Sequence, residues 1–465
     1  MTKKEGVMPF EEKRFDFSDS ESATTQFFVQ NTAENHLSFS FVSQNDLQHL
    51  FLVAEFLGTD NAADNTTGNA GDSMQNQFDW FQAVLIPILN QHGMTDSVLT
   101  ISIFLPDLGQ KQFFRQKFRQ LFGEHLPAMT YIPQTSCFGK NVIFELYAVS
   151  PKLKNEQNFE IKRFDERSVQ WTANGITHLF CSDIRPDETP LSSYERSLNA
   201  FSKLQAILMQ RGYGIPDLYR TWLYQGHIVD AEGATQRYKE LNRARTDIFG
   251  ERKFLANFLP QSFEGVAFPA STGIGADDYD LVISAQAVQS DRKDLIFVPL
   301  ENPLQVSAFR YAKTYSPKSP KFSRAMAFVA GSDAMVYISG TASITASESR
   351  YLDDAGRQTH QTLDNIAALV SQENLANHGI HGFHASLDQV AIARVYVKNA
   401  SDFPVIRQVC EQRLGNIPLF YVFADVCRPE LLVEVEGIIV PRSCSCPERV
   451  LPTQNATSNG QTDQN

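Results

Sequence analysis

Cysteine is scarce in this chain. Its six residues among 465, Cys137, Cys181, Cys410, Cys427, Cys444 and Cys446, are too few and too scattered for a disulfide framework. Only Cys444 and Cys446 form a close pair. Long apolar runs are missing as well: none approaches the ~20 residues that cross a bilayer as a helix, so a helical membrane span is excluded. The opening stretch, Met1 to Phe17, is charged and lacks the roughly 7–15-residue apolar segment of a secretory leader. Together with unpaired thiols, this points to a cytoplasmic protein. An excess of positive charge is also absent. The formal net charge of −12 argues against a general nucleic-acid binder, although a few local arginines suffice for a small anion. No Walker-type glycine loop occurs, and Gly273-Ile-Gly275 is too short for a dinucleotide fingerprint.

What the sequence does have is apolar bulk, 42% of residues with 35 phenylalanines. At ~150 residues per domain, the length suggests about three units. Two polar stretches of low complexity read as disordered: an insert at 58–77 and a tail at 447–465. The glycosylation-type motifs at Asn65 and Asn455 fall inside them and would matter only in a secreted protein.

Between these stretches one pattern recurs three times: an amphipathic helix, a strand, a second helix, then a strand pair. The first copy runs from the helix near Phe78 through SVLTISIFL (97–105) and QKQFFRQKFRQLFG (110–123) to NVIFELYAV (141–149). The second runs from Tyr194 through LYRTWLY (218–224) and TQRYKELNRARTDIFG (235–250) to DLVISAQAV (280–288). The third runs from Arg357 through QVAIARVYV (389–397) and SDFPVIRQVCEQRLG (401–415) to LLVEVEGIIV (431–440). A spacing of about 120 to 150 residues is too long for a solenoid, so each copy is expected to be a domain. The expected fold class is α/β (α+β), each domain a mixed sheet backed by two helices.

Within the third copy, YISGTA (337–342), QTHQTLDNI (358–366), LDQV (387–390) and LLVEVEG (431–437) occur in an order that resembles the Rid family of small trimeric deaminases. Upstream, ENPLQVSAFRY (301–311), YSPKSP (315–320) and FSRA (322–325) resemble the chorismatase family, which pairs a Rid-like catalytic domain with a degenerate one. YRTW (219–222), Arg237-Tyr238, Asn242 to Arg245 and PASTGIG (269–275) extend that resemblance into the second copy. It implies three Rid-like (chorismate mutase-like) domains: a degenerate one at 1–150, a degenerate chorismatase N-terminal-like one at 155–292, and a catalytic one at 297–442. The first copy is then a departure from the two-domain pattern. Since Rid sites lie between trimer neighbours, three copies in one chain suggest an intrachain pseudo-trimer, as a monomer or within a homo-oligomer.

Glu434 and Glu436, two apart on an apolar strand, point to one face. Repulsion and burial there raise the pKa of one of them, which makes it a candidate general acid. The resemblance places that role on Glu434. A chorismate-like substrate carries two carboxylates and requires arginine forks. The candidates are Arg310, Arg324 and Arg428 in the third copy and Arg245 in the second. Tyr311 and Tyr315 could orient a carboxylate or hydroxyl. Gly340, Thr341 and Ala342 end a strand where a ring could approach the backbone. Cys427 ranks low as a catalyst and is a candidate neighbour of the ring that influences which product leaves.

The activity that the resemblance implies is cleavage of an enolpyruvyl ether, giving pyruvate and a cyclohexadiene diol or hydroxybenzoate, with no metal or organic cofactor. Two other readings are a Rid-type imine or enamine deaminase and a non-catalytic carboxylate-binding module. The arginine that Rid deaminases carry after their last helix is absent from PLFYVFA (418–424), which weakens the deaminase reading. His378, His381 and His384 are spaced as candidate zinc ligands, but they lie on a glycine-containing loop without an obvious fourth ligand, so no metal is expected.

Overall fold

A computed structural model describes residues 23–32, 35–44, 46–57, 70–152, 158–188, 191–311 and 318–443. Three six-stranded mixed sheets form, all with one connectivity. The first contains β1 (Ala23–Asn31), β2 (Asn35–Gln44), β3 (Leu47–Phe56), β4 (Val98–Leu105), β5 (Ala128–Pro133) and β6 (Ile143–Pro151), in the order β1-β2-β3-β6-β4-β5. Helices α1 (Ala70–Gln91) and α2 (Lys111–Phe122) belong to it.

The second sheet contains β7 (Glu160–Asp165), β8 (Ser168–Ala173), β9 (Ile176–Ile184), β10 (Leu218–Gly226), β11 (Ala270–Ala276) and β12 (Leu281–Ser290), with helices α3 (Ser193–Gln210) and α4 (Arg237–Phe249). The third contains β13 (Leu295–Leu300), β14 (Ala325–Ala330), β15 (Asp333–Ala342), β16 (Val390–Val397), β17 (Leu419–Phe423) and β18 (Val433–Ile439), with helices α5 (Ala355–Val370) and α6 (Phe403–Leu414). Their orders, β7-β8-β9-β12-β10-β11 and β13-β14-β15-β18-β16-β17, repeat that of the first. In each, one edge pair is parallel, joined through a helix, and the other pairs are antiparallel.

Local sequence explains the repetition. In α2, Phe114, Phe118 and Phe122 recur every four residues, forming one apolar stripe that is buried. Each buried phenylalanine contributes ~1.5–3 kcal/mol relative to exposure. The second helix of every copy stops at a glycine of positive φ, Gly123, Gly250 or Gly415, whose N–H caps Arg119, Thr246 or Glu411 respectively. A register shift falls at the start of the same strand in each sheet, after Val98, Leu218 and Val390. The expectation of mixed sheets backed by helices therefore holds for all three copies. Helix α1 starts at Ala70, so residues 70–77 of the expected disordered insert are helical instead. Their polar composition hid the contacts that hold them: Gln77 accepts from the Val142 N–H at 2.9 Å, and Met74 packs on the core. Residues 58–69, the tail from 447, Cys444, Cys446, Asn65 and Asn455 lie outside the described residues. What reads as one helix from Arg357 to Leu375 breaks at Ser371, which caps a short second helix, Gln372–Asn377.

Opposite the helices, the three sheets face one another and share a core. Phe104 meets Phe420, Tyr147 meets Phe180, and Tyr219 meets Tyr337, with ring centroids 4.7, 6.0 and 5.2 Å apart. Hydroxyl contacts tie the same pairs of sheets. Ser40 donates to Ala391 O at 2.6 Å, Thr130 and Ser284 are 2.8 Å apart, and the Ser271 N–H donates to Ser339 at 2.8 Å. Among the described residues no helix is long and apolar enough to cross a membrane.

Candidate active site

Where β11 and α4 of the second unit abut β15 and β18 of the third, a cavity of about 300 Å³ opens. Glu434, 4% exposed, borders it from β18, opposite Ala342 on one side and Tyr396 on the other. The carboxyl lies against Gly340, where any β-carbon would overlap Glu434 Oε1. Glycine is thus required by close approach. Burial pushes Glu434 up to about 8, with the Glu436 carboxylate adding to the shift and Arg220 and Arg324 opposing it. It is a neutral acid at physiological pH.

Glu436 has the opposite fate. Burial would raise it too, but Arg220 and Arg394 outweigh burial and hold it below the usual carboxylate range. It accepts from Arg220, Trp222 Nε1 at 2.9 Å and Thr272 through one oxygen, and from Tyr396 and Arg394 at 3.2 Å through the other. Thr272 also accepts from the Gly340 N–H at 3.0 Å and from Arg220 at 2.8 Å, which joins the strand beneath the acid to the second sheet. Two carboxyls on one face therefore separate into a neutral acid and a fixed anion, the condition for assigning distinct roles.

Three arginines border the same cavity. Arg245, from α4, is 2% exposed and donates to Asn242 and to Ser271 at 3.2 Å. Arg324 donates to Val306 O at 2.9 Å and to the Tyr311 hydroxyl at 2.6 Å. Among the described residues, the buried Nε atoms of Arg245 and Arg324 meet no acceptor. Arg428 donates to Ser347 O at 3.0 Å and stacks over Tyr311. Buried guanidinium donors left over by the protein favour an anionic ligand. Cys427 also borders the cavity, and burial pushes its thiol up to about 12, with Glu434 adding to it, so it is a neutral side chain there.

The residues read from sequence divide as follows. Glu434, Arg245, Tyr311, Arg324, Gly340, Ala342, Cys427 and Arg428 converge on this cavity. Arg310 does not: it ends a short turn, Ala308–Arg310, is exposed, and lies 5.9 Å from the Phe309 ring. Thr341 is buried on the other face of β15 and donates to Ser339 O, because alternation along a strand sends it away from its neighbours. Tyr315 lies outside the described residues.

Sequence reasoning missed Arg220, Thr272 and Arg394 as partners of Glu436, and Tyr238 as part of the wall. Arg220, Tyr238 and Thr272 stood inside motifs already noted. Arg394, amid the apolar run QVAIARVYV, was the one charged residue on a buried strand, a signal that was available. Among the described residues no group of three or more His, Cys, Asp or Glu side chains is placed to hold a metal ion. His378 uses both ring nitrogens, towards the Glu301 N–H at 3.1 Å and Asn374 O at 2.7 Å.

Only one of three equivalent positions carries the acid. Glu434 pairs with Tyr396 on β16, and the matching pairs in the other sheets are Ile143 with Phe104 and Val282 with Tyr224.

Comparison with known proteins fits this geometry. A family described as "Chorismatase FkbO/Hyg5-like, N-terminal" matches residues 156–287. A 3-hydroxybenzoate synthase of Streptomyces hygroscopicus is 31% identical over 290 residues, 59% of this chain and 79% of that protein. A chorismatase of Streptomyces rapamycinicus is 31% identical over 231 residues, 49% of this chain and 65% of that protein, just under two thirds of its length. A chorismatase crystal structure, 22% identical, covers 74% of this chain and 93% of that one with a TM-score of 0.57. That share is too large for residues 160–440 alone to supply, so the shared fold reaches into the first sheet.

Proposed function

Since the chain belongs to the chorismatase family, we propose that it cleaves the enolpyruvyl ether of chorismate, with Glu434 as proton donor. The observation that carries this reading is a neutral, buried carboxyl facing a cavity ringed by three guanidinium groups. Chorismate's two carboxylates match donors on Arg245, Arg324 and Arg428, and the ether then lies over Gly340 beside the acid.

Glu434 gives its proton to the terminal methylene carbon of the side chain, which leaves an oxocarbenium ion at the ether carbon. An oxygen nucleophile adds there, the bond to the ring oxygen breaks, and pyruvate departs. With water as nucleophile the ring leaves as a dihydroxycyclohexadiene carboxylate. Loss of water from that ring gives a hydroxybenzoate, so chorismate then yields pyruvate and hydroxybenzoate with no net water consumed. The similarity to a 3-hydroxybenzoate synthase favours 3-hydroxybenzoate as the ring product. Cys427, a neutral thiol on the wall beside Glu434, supports its candidacy as an influence on that choice. The three sheets act as an intrachain trimer in which, of the three positions equivalent to Glu434, only the one between the second and third units carries a carboxyl. No second reading gains an observation of its own.

The test is incubation of purified protein with chorismate, pyruvate being followed by lactate dehydrogenase and the ring product by chromatography. Equimolar pyruvate and 3-hydroxybenzoate are expected; the absence of pyruvate would sink the reading, and a diol would correct the product.

Two further outcomes are expected. Arg245→Ala or Arg324→Ala removes a contact present in both ground and transition states, so KM should rise ~10–100-fold with a much smaller change in kcat, the range for a charged hydrogen bond. The pH profile should follow the protonated acid. With Glu434 near 8, kcat is level below that pH and declines above it as the carboxyl ionises. A profile that instead rises through pH 8 would remove Glu434 as donor.

A further inference from the structure

Four charges behind the acid, three of them buried and Glu145 half-buried, come from all three sheets: Arg220 on β10, Arg394 on β16, Glu436 on β18 and Glu145 on β6. Glu145 receives Arg394 Nε and Nη2 on its two oxygens, at 2.6 and 2.5 Å. This bidentate grip fixes the guanidinium plane and aims Nη1 at the Tyr224 hydroxyl, 2.6 Å away, and at Glu436 Oε1, 3.2 Å away. Two guanidinium groups and two carboxylates balance in charge. Without Glu145 the cluster would hold an uncompensated buried cation. Glu145 borders a separate cavity of about 80 Å³ where the three sheets meet, together with Arg220, Arg394 and Glu436. None of the residues bordering the reaction cavity comes from the first sheet.

We propose that Glu145 is a positioning residue for the reaction: by clamping Arg394 it locks Glu436 behind Glu434, so that the first sheet takes part in the chemistry without reaching the substrate. This rests on the reading of Glu434 as proton donor. The groups facing Glu434 are Glu436, Arg220 and Arg324, with the Cys427 thiol and the Tyr238 hydroxyl nearby. Those facing Glu145 are Arg394 and, across it, Tyr224. Removing the Glu145 charge makes the field at Glu434 more positive, which favours its carboxylate. The acid then loses its proton at a lower pH.

The experiment measures kcat and KM for pyruvate release across roughly pH 6 to 9 in the full-length wild type and in Glu145→Gln. The alkaline limb of kcat is expected to move down by about one unit, so that activity falls ~5-fold at pH 8 and nearly ~10-fold at pH 9, while KM at pH 6 stays within ~2-fold. A second measurement is independent of turnover. The infrared band of the protonated Glu434 carboxyl, identified as the band lost in Glu434→Gln, should vanish at lower pH in Glu145→Gln than in wild type. A Glu145→Gln protein with wild-type kinetic and infrared titrations overturns the proposal, whatever its melting temperature, because a role confined to holding the sheets together would leave both titrations in place. If the glutamine variant is not recovered folded, Glu145→Asp keeps the charge but shortens the reach. It should show a lowered kcat with a displaced limb, and wild-type values for both would overturn the proposal equally. A wild-type enzyme that releases no pyruvate would instead defeat the chorismate reading, and the infrared comparison would still decide the role of Glu145.

Discussion

Replacing Glu434 by glutamine is expected to cut pyruvate release by ~10²-fold or more, the usual range for loss of a general acid. The amide keeps the shape of the carboxyl and its place over Gly340, yet it has no proton to deliver to carbon. Binding should change little, since in the proposed reading chorismate is held by the arginines on the other walls. Stability gives an internal control with a defined sign. Burial raises the folded-state proton affinity of Glu434 above that of the unfolded chain. Its contribution is therefore fully present at acid pH, below the ordinary carboxylate range, and is lost as pH rises through about 8. Glu434→Gln should flatten that part of the melting-temperature profile. Glu55, also pushed up to about 8 by burial despite a hydrogen bond from Ser136, keeps some slope in the variant. If Glu434→Gln releases pyruvate at the wild-type rate, the donor lies elsewhere.

Gly340→Ala should be almost as damaging, by a steric route. The added methyl overlaps Glu434 Oε1 and lies 3.2 Å from Thr272 Cγ2. The carboxyl has to leave its place, and the overpacked strand pair should lose ~1–3 kcal/mol. A loss of kcat of ~10²-fold or more is expected, because displacement of about 1 Å from the productive geometry costs that much. Thermal melting and pyruvate release read the two effects separately. An alanine variant of normal kcat would show that Glu434 does not need its position against the strand. At Ala342, two residues on and also in the cavity wall, the side chain is already accommodated, which makes Ala342→Gly the matched control.

Much of the site was legible because it lies in local sequence patterns. Two glutamates at an interval of two on an apolar strand have to share a face, and two carboxyls on one buried face have to differ in charge state. The motifs around Tyr311, Arg324 and Gly340 stood together in the chain and stand together in the cavity. Arg310 shows where this reasoning stops. It sits next to Tyr311 and within the same motif, but a three-residue turn carries it outward. Arg245 is 189 positions before Glu434 and reaches the same cavity only because the second unit packs against the third.

Taken by itself, the sequence determined the repeated mixed-sheet units, the helices with their glycine stops, and the pair of glutamates that share one face, because periodicity, capping and strand alternation act over a few residues. Tertiary structure alone decided which arginines reach the cavity and which carboxyl is the anion. Those outcomes depend on Arg220, Arg394 and Glu145 arriving from three sheets at one buried point. Coulombic balance and desolvation act through space, and no spacing along the chain encodes that distance.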